Sequence, residues 1–251
     1  MTNLLADLDL SRLGEMSRAE KEELLELLEE RVRRERRNKF HAMYPDLGPL
    51  SRVNYPKHLD FFAVGAQHKE VAFVAANRVG KSICVCYELT CHLTGLYKSW
   101  WPGRRFDRPV IAWIAGEDTK AVRESLQPLL FGPPGALGTG LIPGDMIADT
   151  TARSGVPEAI DTASINHLDG GMSRLVLKSY DQGRESFQAS QVDVMVFDEE
   201  PPMDIFTEGL TRTMSTVPGE LGGIVRCSFT PLRGGTDVVL RFLGDDLGQA
   251  A

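Results

Sequence analysis

The residues with the clearest chemical potential lie in one short segment, Ala75-Ala76-Asn77-Arg78-Val79-Gly80-Lys81-Ser82. Its spacing fits the pattern G-x-x-x-x-G-K-[ST], with Ala75 in place of the first glycine. In this pattern a tight turn of backbone N–H groups surrounds phosphate oxygens, and the N-terminus of the following helix adds positive potential. Lys81 would reach the β- and γ-phosphates, and the Ser82 hydroxyl would help to hold Mg²⁺. The segment therefore predicts a site for a nucleoside triphosphate.

A second segment, residues 191–200, is an apolar strand that ends in the acids Asp198, Glu199 and Glu200. It has the form of a Walker B strand, which delivers one carboxylate beside a metal ion and another towards a water molecule. We expect Asp198 to bind Mg²⁺ and Glu199 to orient or deprotonate the attacking water. Glu200 could replace Glu199 in this role, because spacing alone does not separate them.

The elements that must position these residues follow from the hydrophobic pattern. Strands are predicted at 70–76, 109–115, 173–179, 192–198 and 223–229, and helices at 82–94, 118–130, 203–214 and 236–243. This alternation predicts an α/β fold with a mainly parallel sheet flanked by helices. Residues 160–180 predict a hairpin around Asp169-Gly170-Gly171, whereas the Gly- and Pro-rich residues 131–158 predict a long surface excursion. Both chemical segments then lie at carboxyl ends of strands, where phosphate sites occur.

The N-terminal segment has a different pattern. Ser17-Arg18-Ala19-Glu20 is a capping box, and an apolar stripe follows at Leu24, Leu25, Leu27, Leu28 and Val32. Acidic residues crowd the first half of this helix and basic residues the second, as the helix macrodipole favours. We predict a helical segment and linker over residues 1–50 and a P-loop ATPase domain over residues 51–247.

Composition is that of an ordinary globular chain. The 251 residues carry a net charge of −7, and 42% are hydrophobic. The acidic balance argues against a protein that coats nucleic acid through its overall field, but leaves room for a local DNA track. No apolar run approaches the roughly 18–20 residues that a membrane span needs. The N-terminus lacks a signal-peptide pattern, so we expect a cytoplasmic protein without membrane contact.

Beyond the two nucleotide segments, several others resemble the ATPase domain of the large terminase subunit of tailed phages. The likeness runs from about residue 40 to 243, and its most specific parts are Phe197-Asp198-Glu199-Glu200-Pro201-Pro202 and Ser228-Phe229-Thr230-Pro231-Leu232. The resemblance implies a P-loop NTPase of the additional-strand, catalytic-glutamate class. It also implies an Mg²⁺-dependent ATPase that drives double-stranded DNA into a phage procapsid. The implied partners are DNA, the portal and procapsid, the small terminase subunit, and further copies of this chain in a ring.

The resemblance also assigns roles to particular residues. Arg78 matches a basic position of terminase phosphate loops and could act as a cis arginine finger or a γ-phosphate sensor. Ser228 and Thr230 match a motif that couples hydrolysis to motion. Arg184 and Arg212 are candidates for a finger that reaches the ATP of a neighbouring subunit.

Two departures from the family pattern matter. The family often uses a glutamine to contact adenine, whereas the corresponding position here is His58, with Gln67 nearby but differently spaced. No separated acidic triad follows the ATPase segments, so no nuclease domain or nuclease activity is expected from these residues. The alternatives are another P-loop translocase, such as a helicase-like ATPase, or an ATP-binding interaction module with little turnover.

Overall fold

The computed structural model describes residues 16–18, 20–26, 39–188, 190–215 and 222–247. Within these residues, seven strands form one sheet: β1 Glu70–Val74, β2 Ile111–Gly116, β3 Ile147–Ala152, β4 Ile160–Asn166, β5 Met172–Ser179, β6 Val194–Asp198 and β7 Ile224–Phe229. Their spatial order is β1-β7-β6-β2-β5-β4-β3. The first five in that order are parallel, and β4 and β3 add an antiparallel edge.

From residue 39 onward, the α-helices of the described residues are α1 Lys39–Ala42, α2 Pro56–Gly65, α3 Lys81–Thr94, α4 Thr119–Ala121, α5 Gln127–Phe131, α6 Met203–Arg212 and α7 Asp237–Leu247. A π-helical stretch, Val122–Leu126, joins α4 to α5. Helix α3 begins after Gly80 and ends at Gly95, and both glycines adopt left-handed backbone angles. Among the described residues, no helix combines the length and the apolar character that crossing a bilayer requires.

The strand order places one strand, β7, between the strand before the phosphate loop, β1, and the acidic strand, β6. Every residue of β6 and β7 is buried, because helices cover both faces of this part of the sheet. Helix α3 packs in the apolar core on one face, and α6 and α7 pack in a second core on the other. The predicted alternation of strands and helices, and the predicted parallel sheet, are confirmed.

Arg226 on β7 is an exception to the apolar pattern of the core. Its guanidinium is 1% exposed and lies 3.0 Å from Glu88 of α3. It also donates to the carbonyl oxygen of Gly65 at 2.9 Å. A Cβ at Gly65 would lie 2.6 Å from the Arg226 Nη2, so a larger residue there would displace the guanidinium. The ion pair therefore ties α2 and α3 to the sheet.

Two sequence expectations need correction. Residues 131–158 are not purely a surface excursion, because they contain β3 and because Phe131, Leu141 and Ile142 are fully buried. Their Gly and Pro content masked the apolar residues that anchor the segment. The core also extends before residue 51: Phe40 and Tyr44 are buried in it, within the segment predicted to be helix and linker.

Other details agree with expectation. The hairpin is confirmed, with β4 and β5 antiparallel. The capping box is also confirmed, because the Ser17 N–H donates to Glu20 at 2.7 Å and the Glu20 N–H donates to the Ser17 hydroxyl at 3.3 Å. The predicted stripe residues Leu27, Leu28 and Val32 lie outside the described residues.

Candidate active site

The phosphate loop joins β1 to α3, as the strand–loop–helix pattern predicts. Residues 76–79 are exposed, and Arg78 and Gly80 have φ values of 65° and 86°. Ala75 does not adopt a left-handed conformation, and its N–H donates to Phe229 of β7 at 3.3 Å. Because its backbone continues the strand pairing, this position does not need the conformational freedom of glycine.

The Lys81 ammonium is held at the base of this loop. It donates to the carbonyl oxygen of Ala76 at 2.9 Å and to the hydroxyl of Thr230 at 2.8 Å. The Lys81 residue is 7% exposed. The charge is therefore positioned by contacts to the loop and to the segment after β7.

Asp198 ends β6 beside the start of α3. Its Oδ1 accepts a 2.6 Å hydrogen bond from the hydroxyl of Ser228, and the Ser82 side chain lies near enough to help lower its pKa. Burial raises the pKa of Asp198 above its ordinary value, although both serine contacts and the Lys81 charge oppose the shift. The structure thus brings the two predicted metal-binding groups, Ser82 and Asp198, together.

Glu199 follows at the turn after β6. It adopts a left-handed conformation with φ 62°, and its N–H donates to the Ser228 carbonyl at 2.8 Å. Its pKa is raised, first by burial and then by the negative charge of Asp198. A non-glycine residue in this conformation is strained, so the surrounding contacts must hold it there.

Glu200 has a different environment from Glu199. Its Oε1 accepts a 2.6 Å hydrogen bond from the hydroxyl of Thr236, which also caps the start of α7 through the N–H of Val239. The other Glu200 oxygen is buried and lacks a hydrogen-bond partner among the described residues. These contacts favour Glu199 over Glu200 as the residue facing a water molecule.

Thr230 links the loop to β7. Its hydroxyl lies 2.9 Å from the Ala75 carbonyl oxygen and 2.7 Å from Asn77 Oδ1, besides the contact with Lys81. Ser228 and Thr230, the two predicted coupling residues, therefore touch opposite halves of the site. Ser228 touches the acidic strand and Thr230 the phosphate loop.

The two candidate trans arginines do not join this cluster. Both bind Glu208 on α6: Arg184 at 3.0 Å and Arg212 at 2.9 Å, each measured from Nε to a carboxylate oxygen. Glu208 is 4% exposed. The shared carboxylate partner, Glu208, explains the positions of both arginines without a nucleotide.

The two residues considered for the adenine contact, His58 and Gln67, lie in different environments. His58 is 3% exposed and lies under the phosphate loop, with Nε2 3.3 Å from the Val79 carbonyl oxygen. Gln67 is exposed. The position of an adenine ring therefore stays a prediction.

Sequence reasoning did not identify Tyr180 as part of the site. Its hydroxyl lies 2.9 Å from the Asp198 carbonyl oxygen and 3.1 Å from that of Glu199. Because it contacts consecutive carbonyls, Tyr180 supports the backbone turn that presents both acids. A polar aromatic residue directly after a predicted strand was the available signal.

The geometry defines a class of protein. A phosphate loop after β1 faces an acidic end of β6, with one strand inserted between them, and this is the arrangement of a P-loop NTPase of the additional-strand class. The predicted fold class is confirmed.

Comparison with known proteins gives the family. A family model described as "Terminase large subunit, T4likevirus-type, N-terminal" matches residues 72–251. The large terminase subunit of Salmonella phage P22 is 34% identical in an alignment 251 positions long, which covers 92% of this chain and 48% of that protein. The chain belongs to the terminase large subunit family, and it spans about half the length of this curated relative.

Solved structures show weaker similarity. The large terminase of a thermophilic bacteriophage, solved in complex with ADP, matches with 15% identity and a TM-score of 0.42, over 70% of this chain and 37% of that one. The large terminase ATPase domain of Thermus phage P74-26 matches with 15% identity and a TM-score of 0.46, over 75% and 72%. Both TM-scores are below 0.5, so the family assignment rests on the sequence matches.

Proposed function

We propose that this chain is the ATP-hydrolysing motor domain of a terminase large subunit, which drives double-stranded DNA into a phage procapsid. Family membership supports the packaging role. The observation that carries the catalytic part is the convergence of Lys81 and Ser82, at the start of α3, with Asp198 and Glu199, at the end of β6. A phosphate-binding module without turnover would not need an acid placed beyond the metal-binding carboxylate.

Each residue then has a defined task. The loop N–H groups and Lys81 bind the phosphates of ATP and hold them in line for attack. Ser82 and Asp198 would supply the hard oxygen ligands that Mg²⁺ prefers. Bound Mg²⁺ would neutralise charge that develops on the phosphoryl oxygens. Glu199 orients the attacking water and accepts its proton, a role that its raised pKa suits.

Coupling to motion follows from the contacts at the end of β7. Lys81 is shared between the loop carbonyl of Ala76 and the Thr230 hydroxyl. A γ-phosphate would attract the Lys81 ammonium, and a shift of that ammonium would alter its bond to Thr230. Thr230 begins the segment that leads to α7, so this change would reach a helix remote from the phosphates.

The same proposal includes roles for three arginines. Arg78 is exposed within the loop and could contact the γ-phosphate in cis. Arg184 or Arg212 could serve a neighbouring copy in a ring only after leaving Glu208. The other proposed partners are the DNA, the portal and procapsid, and the small terminase subunit.

The test is steady-state ATPase activity with and without double-stranded DNA, repeated with assembled procapsid, portal and small subunit. Lys81→Ala should abolish ATP turnover and packaging, whereas Lys57→Ala, on the exposed side of α2, should leave both unchanged. ATP binding without turnover in the complete packaging mixture would replace the motor role with that of a binding module.

A further inference from the structure

His58 connects the phosphate loop to the start of the folded domain. Its Nδ1 lies 2.7 Å from the hydroxyl of Tyr44, and its Nε2 lies 3.3 Å from the carbonyl oxygen of Val79. The imidazole ring also packs on Gly80, where an added Cβ would lie 3.1 Å from His58 Cε1. The sequence position that suggested an adenine contact therefore contacts the protein's own loop.

The protonation of this arrangement can be worked out. A carbonyl oxygen only accepts, so the contact with Val79 requires a proton on Nε2. Burial lowers the pKa of His58, so the ring is neutral near pH 7 and Nδ1 is an acceptor. Burial also raises the pKa of Tyr44, which keeps its proton and donates it to Nδ1. Tyr44 thereby selects the tautomer that binds Val79.

The Val79–Gly80 peptide gives this bond its consequence. In a trans peptide the C=O and the N–H point in opposite directions. Because the Val79 carbonyl points to His58, the Gly80 N–H points away from His58. This N–H belongs to the residue before Lys81, in the part of the loop that surrounds phosphate oxygens.

Tyr44 is itself held in an unusual conformation. Its φ is 55°, in the left-handed region that non-glycine residues seldom adopt. Its ring is 1% exposed and meets the rings of Phe62, Tyr87 and Trp100 edge-on, with centroids 5.8, 4.8 and 5.8 Å away. The hydroxyl that reaches His58 is therefore fixed by the core.

We infer that His58 is a positioning residue for phosphate binding. Its ring, held by Tyr44 in the tautomer with the proton on Nε2, orients the Val79–Gly80 peptide through the Val79 carbonyl oxygen. This inference rests on the nucleotide-binding role proposed above. It goes beyond that role because it makes the orientation of the loop N–H groups depend on residues 44 and 58. Neither residue needs to touch the nucleotide.

Nucleotide affinity of matched variants tests it. His58→Phe keeps an aromatic ring against Gly80 but removes both nitrogens, and Tyr44→Phe removes only the hydroxyl. Each should weaken Mg²⁺–ADP binding roughly 3- to 10-fold, the effect of losing the hydrogen bond that orients the Val79 carbonyl oxygen. His58→Gln, whose amide can donate to Val79, should recover part of the loss. Tyr55→Phe is the control, because Tyr55 contacts His58 through its ring, with centroids 5.1 Å apart.

A measurement on the wild-type protein separates this inference from the proposed function. Nitrogen-15 NMR of His58 without nucleotide should show a protonated Nε2 and an unprotonated Nδ1. The opposite tautomer would overturn the inference, as would unchanged ADP affinity in both phenylalanine variants. A lowered Tm with unchanged affinity would assign His58 to stability alone. If the wild-type protein bound no ADP while the NMR result held, the proposed function would fail and the peptide arrangement would stand.

Discussion

The Lys81 ammonium and the Thr230 hydroxyl form a 2.8 Å hydrogen bond between residues 149 positions apart in the chain. The two residues come together because β1 and β7 are parallel neighbours, with Val74 paired to Phe229. The last residues of both strands therefore open into the same site. Thr230 is thus in direct contact with Lys81, the residue proposed to bind the phosphates.

Thr230→Val tests this link, because it keeps the shape of threonine and removes its hydroxyl. We expect ATP affinity to fall by about 10-fold, since Lys81 loses one charge-assisted hydrogen bond and the Thr230 hydroxyl loses its contacts with Ala75 and Asn77. DNA translocation per ATP hydrolysed should fall much further. Parallel ATPase and packaging assays measure the ratio. Thr207→Val, at an exposed hydroxyl on α6, is the control, and an unchanged ratio in Thr230→Val would remove Thr230 from coupling.

Glu199→Gln and Glu200→Gln separate the two candidate bases. Loss of a general base lowers turnover by roughly 10²- to 10⁴-fold, and we expect this for Glu199→Gln with ATP binding retained. Glu200→Gln should keep most of the turnover, because an amide oxygen can still accept from Thr236. Single-turnover hydrolysis of ATP measures both. The reverse ranking would move the base role to Glu200.

The variant Asp198→Asn tests the carboxylate proposed to bind Mg²⁺, first by its effect on the stability of the protein. Burial raises the folded-state pKa of Asp198, so the wild-type protein loses stability as pH rises through the unfolded value towards the folded value, and the full cost applies above both. The asparagine variant avoids this cost. Its Tm in EDTA at pH 8 should be higher by about 2–4 °C for each kcal/mol relieved.

The same variant should respond differently to metal. Mg²⁺ with ADP should raise the Tm of the wild-type protein more than that of Asp198→Asn, because the carboxylate is missing. Asp149→Asn, on the exposed edge strand β3, should behave like the wild type. Equal responses of Asp198→Asn and wild type to Mg²⁺ would exclude Asp198 as a ligand.

The buried pair Glu88–Arg226 predicts a large stability effect. Burial alone would raise the pKa of Glu88, but the charge of Arg226 and the hydrogen bonds from His92 and Arg226 hold it below its ordinary value. Arg226→Met leaves this carboxylate uncompensated and should lower the free energy of unfolding by about 3–5 kcal/mol. Adding Glu88→Gln should restore a substantial part. Urea unfolding measures both, and strictly additive losses would show that the pair is not coupled.

Much of the fold could be predicted because its signals are local. The apolar runs of β6 and β7, the hairpin turn and the glycine that precedes α3 each lie within a few residues. The order of the strands is not local, yet alternating strands and helices restrict it to parallel arrangements. Local patterns did not predict the structure of residues 131–158, because their buried apolar residues are scattered among glycines and prolines.

The sequence by itself determined the chemistry available to this chain: a phosphate loop with Lys81 and Ser82, and an acidic strand end with Asp198 and Glu199. These types and spacings lie within single short segments. Only the tertiary structure decided how Thr230 meets Lys81, how Glu208 holds two arginines, and why His58 lies under the loop. Such contacts depend on which strand ends and helix faces become neighbours, and that is set by packing of the whole sheet.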